Sequence, residues 1–89
     1  MQIKDKVVVI TGAASGIGKG LAGRFKAEGA RGIALADMNG DGVMAVADEL
    51  GAFGMACDVG DEDQIKALVA ETEKQFGPID IFCSNAGIL

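Results

Sequence analysis

The chain contains no histidine, no tyrosine and no tryptophan in its 89 residues. A histidine base or a tyrosine acid is therefore excluded from any reaction that these residues carry out alone. The two cysteines, Cys57 and Cys83, form no CxxC pair and have no histidine to join them, so no metal site is expected. Two isolated cysteines of this kind are typical of small buried side chains in a reducing compartment. We therefore expect a cytoplasmic protein.

Clusters of basic residues and long apolar runs are missing as well. The formal net charge is −5 and no stretch concentrates lysine or arginine, which argues against nucleic acid or an anionic membrane as a partner. No apolar run approaches the roughly 18 residues of a membrane span, and the N-terminus lacks the layout of a signal peptide. Residues 1–89 are therefore expected to form one small domain.

The stretch from Val7 to Gly18, VVVITGAASGIG, is the one around which the chain is organised. Four apolar β-branched residues run into a glycine-rich turn, and a segment with helical spacing follows. The first N–H groups of a helix lack intrahelical partners, and the helix dipole is positive at that end. A strand, a glycine turn and a helix start therefore predict a phosphate-bearing ligand.

Hydrophobic periodicity predicts four strands that alternate with three helices. The strands are expected at 7–10, 33–37, 53–56 and 79–83, and the helices at 17–28, 41–50 and 62–76. The order βαβαβαβ predicts the α/β class, with a Rossmann-type, doubly wound parallel sheet of strand order 3-2-1-4. Cys57 and Cys83 then lie at opposite edges and form no disulfide. Because the chain stops just after the fourth strand, we expect it to be truncated there.

Side-chain patterns also predict how the helices face the sheet and where they begin. The first helix is expected to turn Ile17, Leu21 and Phe25 toward the sheet, since they recur at intervals of four. The third helix is expected to begin with Asp61 as its N-cap. Gln64, three positions later, completes the pattern of a capping box.

Three glycine patterns compete to define the ligand. A P-loop requires G-x-x-x-x-G-K-[ST], but Ala13 stands at its first glycine and Gly20 at its magnesium-binding hydroxyl, so ATPase chemistry is disfavoured. A literal G-x-G-x-x-G at Gly18, Gly20 and Gly23 falls inside the helical stripe, where Gly20 and Gly23 are expected to allow close packing on the sheet. The third pattern is T-G-x-x-x-G-x-G, which begins at Thr11.

The third pattern is accompanied, in register, by three further motifs. Asp37 ends strand two, Asp58 and Val59 follow strand three, and the residues Ser-Asn-Ala-Gly occupy 84–87 after strand four. Together these motifs resemble the short-chain dehydrogenase/reductase family over essentially the whole chain. The serine that opens the last motif stands where the family usually has asparagine, which is a mild departure.

The resemblance implies a dinucleotide site built from the loops at the strand ends. Its cofactor-binding residues are Gly12, Ser15, Gly16, Ile17, Gly18, Asp37, Met38, Asp58, Val59, Asn85, Ala86 and Gly87. Gly12, Gly16 and Gly18 let the loop approach the pyrophosphate, and the N–H groups of Ile17 and Gly18 face it. Residues 85–87 form the turn beneath the nicotinamide ribose.

The same resemblance assigns the adenosine end of the cofactor. Ser15 lies near the adenosine ribose, and Met38 flanks the adenine ring. Asp58 accepts a hydrogen bond from the adenine amino group, and Val59 contacts the edge of the ring. For Asp58 an alternative stays open, because an acid at this position also fits a turn that precedes a helix cap.

Asp37 decides which dinucleotide the resemblance favours. It follows Gly18 by 19 residues, near the spacing of an acid that hydrogen-bonds both hydroxyls of the adenosine ribose. Its charge opposes a 2′-phosphate, and no lysine or arginine at 13–16 or 38–40 offsets that charge, so NAD is favoured over NADP. The alternative for Asp37 is a solvated acid at a strand end.

Catalysis in this family uses a serine, a tyrosine and a lysine, with a further asparagine, all beyond the fourth strand. The chain has no tyrosine, so these residues are expected outside it and the 89 residues alone are expected to be inactive. The resemblance implies the N-terminal NAD-binding part of an oxidoreductase that transfers hydride between a nicotinamide cofactor and an alcohol or carbonyl substrate. The full-length protein is expected to form a homo-oligomer. Two alternatives stay open: a non-catalytic NAD-binding module and, disfavoured by the glycine spacing, a methyltransferase that binds S-adenosylmethionine.

Overall fold

The computed structural model describes residues 2–85, which form four strands and three helices. In chain order these are β1 (Val7–Thr11), α1 (Gly16–Ala27), β2 (Gly32–Asp37), α2 (Gly40–Leu50), β3 (Phe53–Ala56), α3 (Glu62–Phe76) and β4 (Ile81–Ser84). The predicted order βαβαβαβ is confirmed. Within the described range, none of the helices has the length and apolar character needed to cross a membrane.

The four strands form a single parallel sheet in the predicted order β3-β2-β1-β4. In the register of the sheet, Val9 of β1 lies opposite Ala34 of β2 and Phe82 of β4. Cys57 directly follows β3 and Cys83 belongs to β4, so the two free thiols lie at opposite edges, as predicted. Because the strands are parallel, their carboxyl ends meet along one edge of the sheet.

Helices cover both faces of the sheet. α1 and α2 pack on the face that presents Val8 and Leu35, while α3 packs on the other face, where Leu68 meets Val9 and Ala34. All five residues of β1 are fully buried. A central parallel strand without a solvent face explains why its sequence is a continuous apolar run rather than an alternating one.

β4 begins at Ile81, two residues later than its apolar run predicts. The cause is Asp80, whose N–H donates to the Val7 carbonyl at 2.9 Å and whose Oδ2 accepts the Val7 N–H at 2.8 Å. A carboxylate oxygen therefore takes the bond that a strand carbonyl would make, and the regular ladder starts only after it. Ile79 lies before the strand and packs into the core beneath α3.

The face that α1 turns toward the sheet differs from the prediction. Gly18 and Ala22 are its buried residues, and Leu21 and Phe25 pack at the margin of the core, as expected. Ile17 is 68% exposed, so its expected place in the sheet-facing stripe is wrong. The reason is the close approach of Gly18 to the preceding loop, which sets the rotation of α1 about its axis and turns the neighbouring position outward.

Gly20 and Gly23 do not serve close packing of α1 on the sheet. A Cβ atom added at either position would have no atom within 4 Å beyond its own chain neighbours and helix backbone. The predicted role of these two glycines is therefore wrong. Spacing alone does not distinguish a glycine on the open side of a helix from one at a contact, because both fall within one helical turn.

We predict that the chain self-associates through β4, which is an edge strand with the apolar side chain of Phe82 44% exposed. An exposed apolar edge is a template for pairing with a second strand. Sedimentation velocity over a concentration series should detect the association, and Phe82→Glu should reduce it. Met44→Glu is a matched control, since Met44 is 45% exposed on α2. A monodisperse monomer at all concentrations would contradict the prediction.

Candidate nucleotide-binding site

The loops that follow β1, β2 and β3 and the residue that follows β4 lie along the carboxyl edge of the sheet. The register pairs Thr11 with Ala36 of β2 and with Ser84 of β4, and pairs Asp37 with Ala56 of β3. The four strands therefore end at nearly the same level. This brings the predicted site residues of all four loops to one side of the molecule. Ala86 and Gly87 lie outside the described residues.

The loop after β1 is held by the side chain of Ser15, which is the N-cap of α1. The Ser15 hydroxyl donates to the Gly12 carbonyl at 2.7 Å and accepts the Gly18 N–H at 3.1 Å. Gly12 adopts a positive φ of 66°, in the left-handed region that favours glycine. One hydroxyl therefore ties the turn to the first turn of the helix.

Gly18 lies against the backbone of that turn. A Cβ atom added to it would lie 2.3 Å from the Gly12 carbonyl oxygen and 2.7 Å from the Ala13 Cα, which no side chain tolerates without backbone movement. Gly16 is different, because a Cβ added there would meet nothing within 4 Å. Only Gly18 of these two helical glycines is required by the fold itself.

The first turn of α1 determines which backbone N–H groups remain for a ligand. A helix leaves its first N–H groups without intrahelical acceptors, and Lys19 makes the first such bond, to the Ser15 carbonyl. The Gly18 N–H, which the resemblance assigns to the pyrophosphate, donates to the Ser15 hydroxyl in this structure. The N–H groups of Gly16 and Ile17 are therefore the ones that the first turn presents to a ligand.

Asp37 lies at the end of β2, partly buried, with both carboxylate oxygens in hydrogen bonds to backbone groups. Oδ2 accepts the Ala14 N–H and Oδ1 accepts the Asn39 N–H, both at 2.9 Å. Ala13 also donates to the Ala36 carbonyl at 3.1 Å. The loop after β1 is thus bonded directly to the end of β2. The sequence did not predict this role of Asp37, because no pattern in the residues between Ala14 and Asp37 indicates that the two are in contact.

Asp58 lies in the turn between β3 and α3. Its N–H donates to the Gln64 side-chain oxygen at 2.8 Å, and its Oδ1 accepts the Gly60 N–H at 2.9 Å. These contacts are those of an acid in a turn before a helix cap. Asp61 caps α3 as predicted, accepting from the N–H groups of Asp63 and Gln64. The Gln64 side chain, however, reaches Asp58 rather than the Asp61 N–H of the predicted capping box.

Thr11 joins the ends of β1 and β4, a role that the sequence analysis did not assign. Its fully buried hydroxyl accepts the Asn85 N–H at 3.3 Å and lies 3.4 Å from the Ser84 hydroxyl. Within the described residues, the buried Nδ2 atom of Asn85 has no hydrogen-bond acceptor. A threonine that ends an otherwise apolar buried strand is the sequence signal for such a junction.

Three of the predicted site residues are large apolar side chains on the surface. Met38 is 69%, Ile17 68% and Val59 38% exposed. Ile17 lies in the first turn of α1, while Met38 and Val59 lie in the loops that follow β2 and β3. Apolar surface of this kind, next to polar groups, is typical of a ligand-binding site. The exposure of Ile17, which contradicts the predicted helix face, is explained if a ligand covers it.

The surroundings of the two cysteine thiols disfavour their ionisation. Burial raises the pKa of the Cys57 thiol, and the charges of Asp58 and Asp61 raise it further. Burial likewise raises the pKa of Cys83. Both thiols therefore stay protonated at neutral pH, since an ordinary thiol already titrates above it. Between residues 2 and 85 no group of histidine, cysteine or acidic side chains is placed to hold a metal ion.

The parallel sheet, with its glycine loop leading into α1 at the carboxyl edge, defines a Rossmann-type α/β fold. The family model for short chain dehydrogenases matches residues 6–89, which is nearly the whole chain. The chain therefore belongs to the short chain dehydrogenase family.

Individual relatives agree with the family model. The chain is 40% identical to a 3beta-hydroxysteroid dehydrogenase of Mediterraneibacter gnavus, covering 96% of this chain and 32% of the relative. It is also 40% identical to a D-threitol dehydrogenase of Mycolicibacterium smegmatis, covering 98% of this chain and 35% of the relative. The chain thus spans about a third of the length of these relatives.

A solved structure gives the same result for the fold. The 3-ketoacyl-(acyl-carrier-protein) reductase of Brucella melitensis, crystallised in complex with NADH, superposes with a TM-score of 0.85 at 38% identity. The match covers 90% of this chain and 34% of that protein. The fold read from the present structure is therefore shared with a reductase whose structure contains the dinucleotide.

We predict that Gly18→Ala lowers the free energy of unfolding by about 1–3 kcal/mol, because its Cβ overlaps the Gly12 carbonyl. Gly20→Ala is the matched control in the same helix. It should raise the free energy of unfolding by about 0.5–1 kcal/mol, since its Cβ meets open space. Urea denaturation followed by circular dichroism measures both. Equal stabilities of the two variants would show that the close approach is not a constraint.

Proposed function

We propose that this chain is the NAD-binding part of an oxidoreductase that transfers hydride between a nicotinamide cofactor and an alcohol or carbonyl substrate. The observation that carries the proposal is the exposure of Ile17 at the start of α1 and of Met38 and Val59 in the loops after β2 and β3. The same sheet edge also presents Asp37 and Asp58. An adenosine group combines an apolar ring with polar edges and hydroxyls, and such a surface suits it. Family membership and the NADH in the reductase structure support the same reading.

The pyrophosphate is proposed to lie at the first turn of α1. The N–H groups of Gly16 and Ile17 are free of intrahelical acceptors there, and the helix dipole favours an anion at that end. The open space beside the Gly16 Cα lets an anion approach the backbone closely. Gly12 and Gly18 contribute by shaping the turn. Since Gly18 bonds to Ser15, its N–H is assigned to the loop rather than to the phosphate.

The adenosine is proposed to lie across the ends of β2 and β3. Met38 would flank the adenine ring and Val59 would contact its edge, while Asp58 would accept from the exocyclic amino group. A turn acid keeps this capacity, because an ionised carboxylate offers about four acceptor sites and the Gly60 N–H uses one of them. Ser15 would lie near the ribose, and Asp37 would accept from its hydroxyls.

The nicotinamide half is proposed to lie beyond the end of β4, over residues 85–87. Asn85 is held there by the bond from its N–H to the Thr11 hydroxyl. Its Nδ2 atom has no acceptor among residues 2–85 and is a donor that a ligand or a further part of the protein would satisfy. Hydride transfer itself is the chemistry of the bound nicotinamide.

The protein as a whole is proposed to supply the serine, tyrosine and lysine that the family uses for acid–base chemistry from outside these 89 residues. The chain has no tyrosine, so by itself it is proposed to bind the dinucleotide without catalysing the reaction. A homo-oligomer in the cytoplasm is the proposed state of the whole protein. The two free thiols, Cys57 and Cys83, fit a reducing compartment.

Titration calorimetry of the 89-residue chain tests the proposal directly. We expect NADH to bind, and S-adenosylmethionine not to bind. Binding of NADH without any oxidoreductase activity in the complete gene product would favour the alternative, a non-catalytic NAD-binding module. Binding of S-adenosylmethionine in place of NADH would replace the proposal by a methyltransferase, and binding of neither would refute a nucleotide site.

We predict that Asp37→Arg moves the preference from NADH toward NADPH. The change removes the acceptor for the ribose hydroxyls and the charge that repels a 2′-phosphate, so the ratio of the two affinities should shift by about tenfold or more. Asp48→Arg makes the same change of charge on the exposed surface of α2 and should leave the ratio as it was. Competition calorimetry measures the ratio. An unchanged ratio of the two affinities in Asp37→Arg would show that Asp37 is only a surface acid.

A further inference from the structure

We infer that Asp37 is also a positioning residue, which holds the glycine loop in its binding conformation before a cofactor arrives. The inference rests on the proposed function and concerns the same site. Its basis is the contact of the loop with the end of β2 and the start of α2. We call this contact the latch, and it consists of Asp37, Asn39, Gly42 and Ala14.

Ala14 is the point at which the loop is held. Its N–H donates to Asp37 Oδ2 at 2.9 Å, and the bond joins residues that are 23 positions apart in the chain. Both groups are partly buried, which strengthens a bond between an N–H and an ionised carboxylate. The neighbouring bond from the Ala13 N–H to the Ala36 carbonyl holds the loop at the same place. Both bonds are made between groups of the chain itself.

Asp37 can hold the loop and still accept from a ribose. An ionised carboxylate has about four acceptor sites, and the N–H groups of Ala14 and Asn39 occupy one on each oxygen. One further site on each oxygen is left, which matches two neighbouring ribose hydroxyls. The two roles therefore act together, and a substitution that removes the carboxylate loses both.

Gly42 completes the latch from the side of α2. Its N–H donates to Asn39 Oδ1 at 3.0 Å, which caps the helix. A Cβ added at Gly42 would lie 2.5 Å from Asn39 Nδ2 and 3.1 Å from the Ala14 Cβ. Any side chain at this position must displace the cap or push against the loop. Neither Asn39 nor Gly42 belongs to the motifs from which the site was predicted.

Substitutions in the latch should affect the affinity for both cofactors separately from the preference between them. Loss of the Asp37 carboxylate should make the loop less ordered and so lower the affinity for both dinucleotides. The Ala14 N–H loses its acceptor whichever cofactor binds. A change at Gly42 should weaken both without altering their ratio, since the ribose acceptor stays in place. If Asp37 only recognised the ribose, its loss would not weaken both dinucleotides, and a change at Gly42 would weaken neither.

Amide hydrogen exchange in the ligand-free 89-residue chain tests the latch. We expect the Ala14 N–H to exchange faster by about tenfold or more in Asp37→Ala. In Gly42→Ala we expect faster exchange at Ala14 and NADH and NADPH affinities that fall together by about fivefold or more. Gly20→Ala is the control, because it makes the same helical substitution where the added Cβ meets open space. It should change neither quantity.

Unchanged exchange at Ala14 in both latch variants would overturn the inference, as would a Gly42→Ala variant that behaves like Gly20→Ala. The exchange measurement needs no cofactor. Failure of the unaltered chain to bind NADH would therefore refute the proposed function, while the exchange rates would still decide whether Asp37 and Gly42 hold the loop.

Discussion

The close approach of Gly18 to the Gly12 carbonyl is the constraint on which the carboxyl edge of the sheet depends. It brings the first turn of α1 against the end of β1 and leaves no room for a side chain between them. With Gly18 facing inward, the neighbouring Ile17 faces outward and is 68% exposed. One backbone contact thus accounts for the exposed apolar side chain at the start of α1.

The polar residues of this edge first satisfy the protein's own backbone. Ser15 and Asp58 bond to N–H groups of their own turns. Asp37 and Thr11 bond to N–H groups of loops that follow other strands. Loops at the end of a parallel sheet have no ladder partners, so these bonds replace the ladder there. A carboxylate or hydroxyl has more than one acceptor site, and the same side chains retain capacity for a ligand. Order of the loops and recognition of a ligand therefore depend on the same atoms.

Local patterns were sufficient for most of the fold. The order of strands and helices along the chain and the order of the strands in the sheet were both predicted and are confirmed. Periodicity reports which side of an element is apolar, and right-handed crossovers leave few topologies for this order of elements. The start of β4 was misplaced because the Asp80 carboxylate bonds to Val7, 73 positions away in the chain. No local pattern contains that information.

For the site, the sequence alone determined the types of residue and the strand end to which each belongs, because glycine spacing and an acid after a strand are local signals. Only the tertiary structure decided what those residues contact. It placed the Ala14 N–H on Asp37, 23 positions away, and turned Ile17 outward. It also brought Gly42 against Ala14. The reason is physical: contacts between loops of different strands form only when the sheet has assembled, so their partners are distant in the chain and carry no shared period.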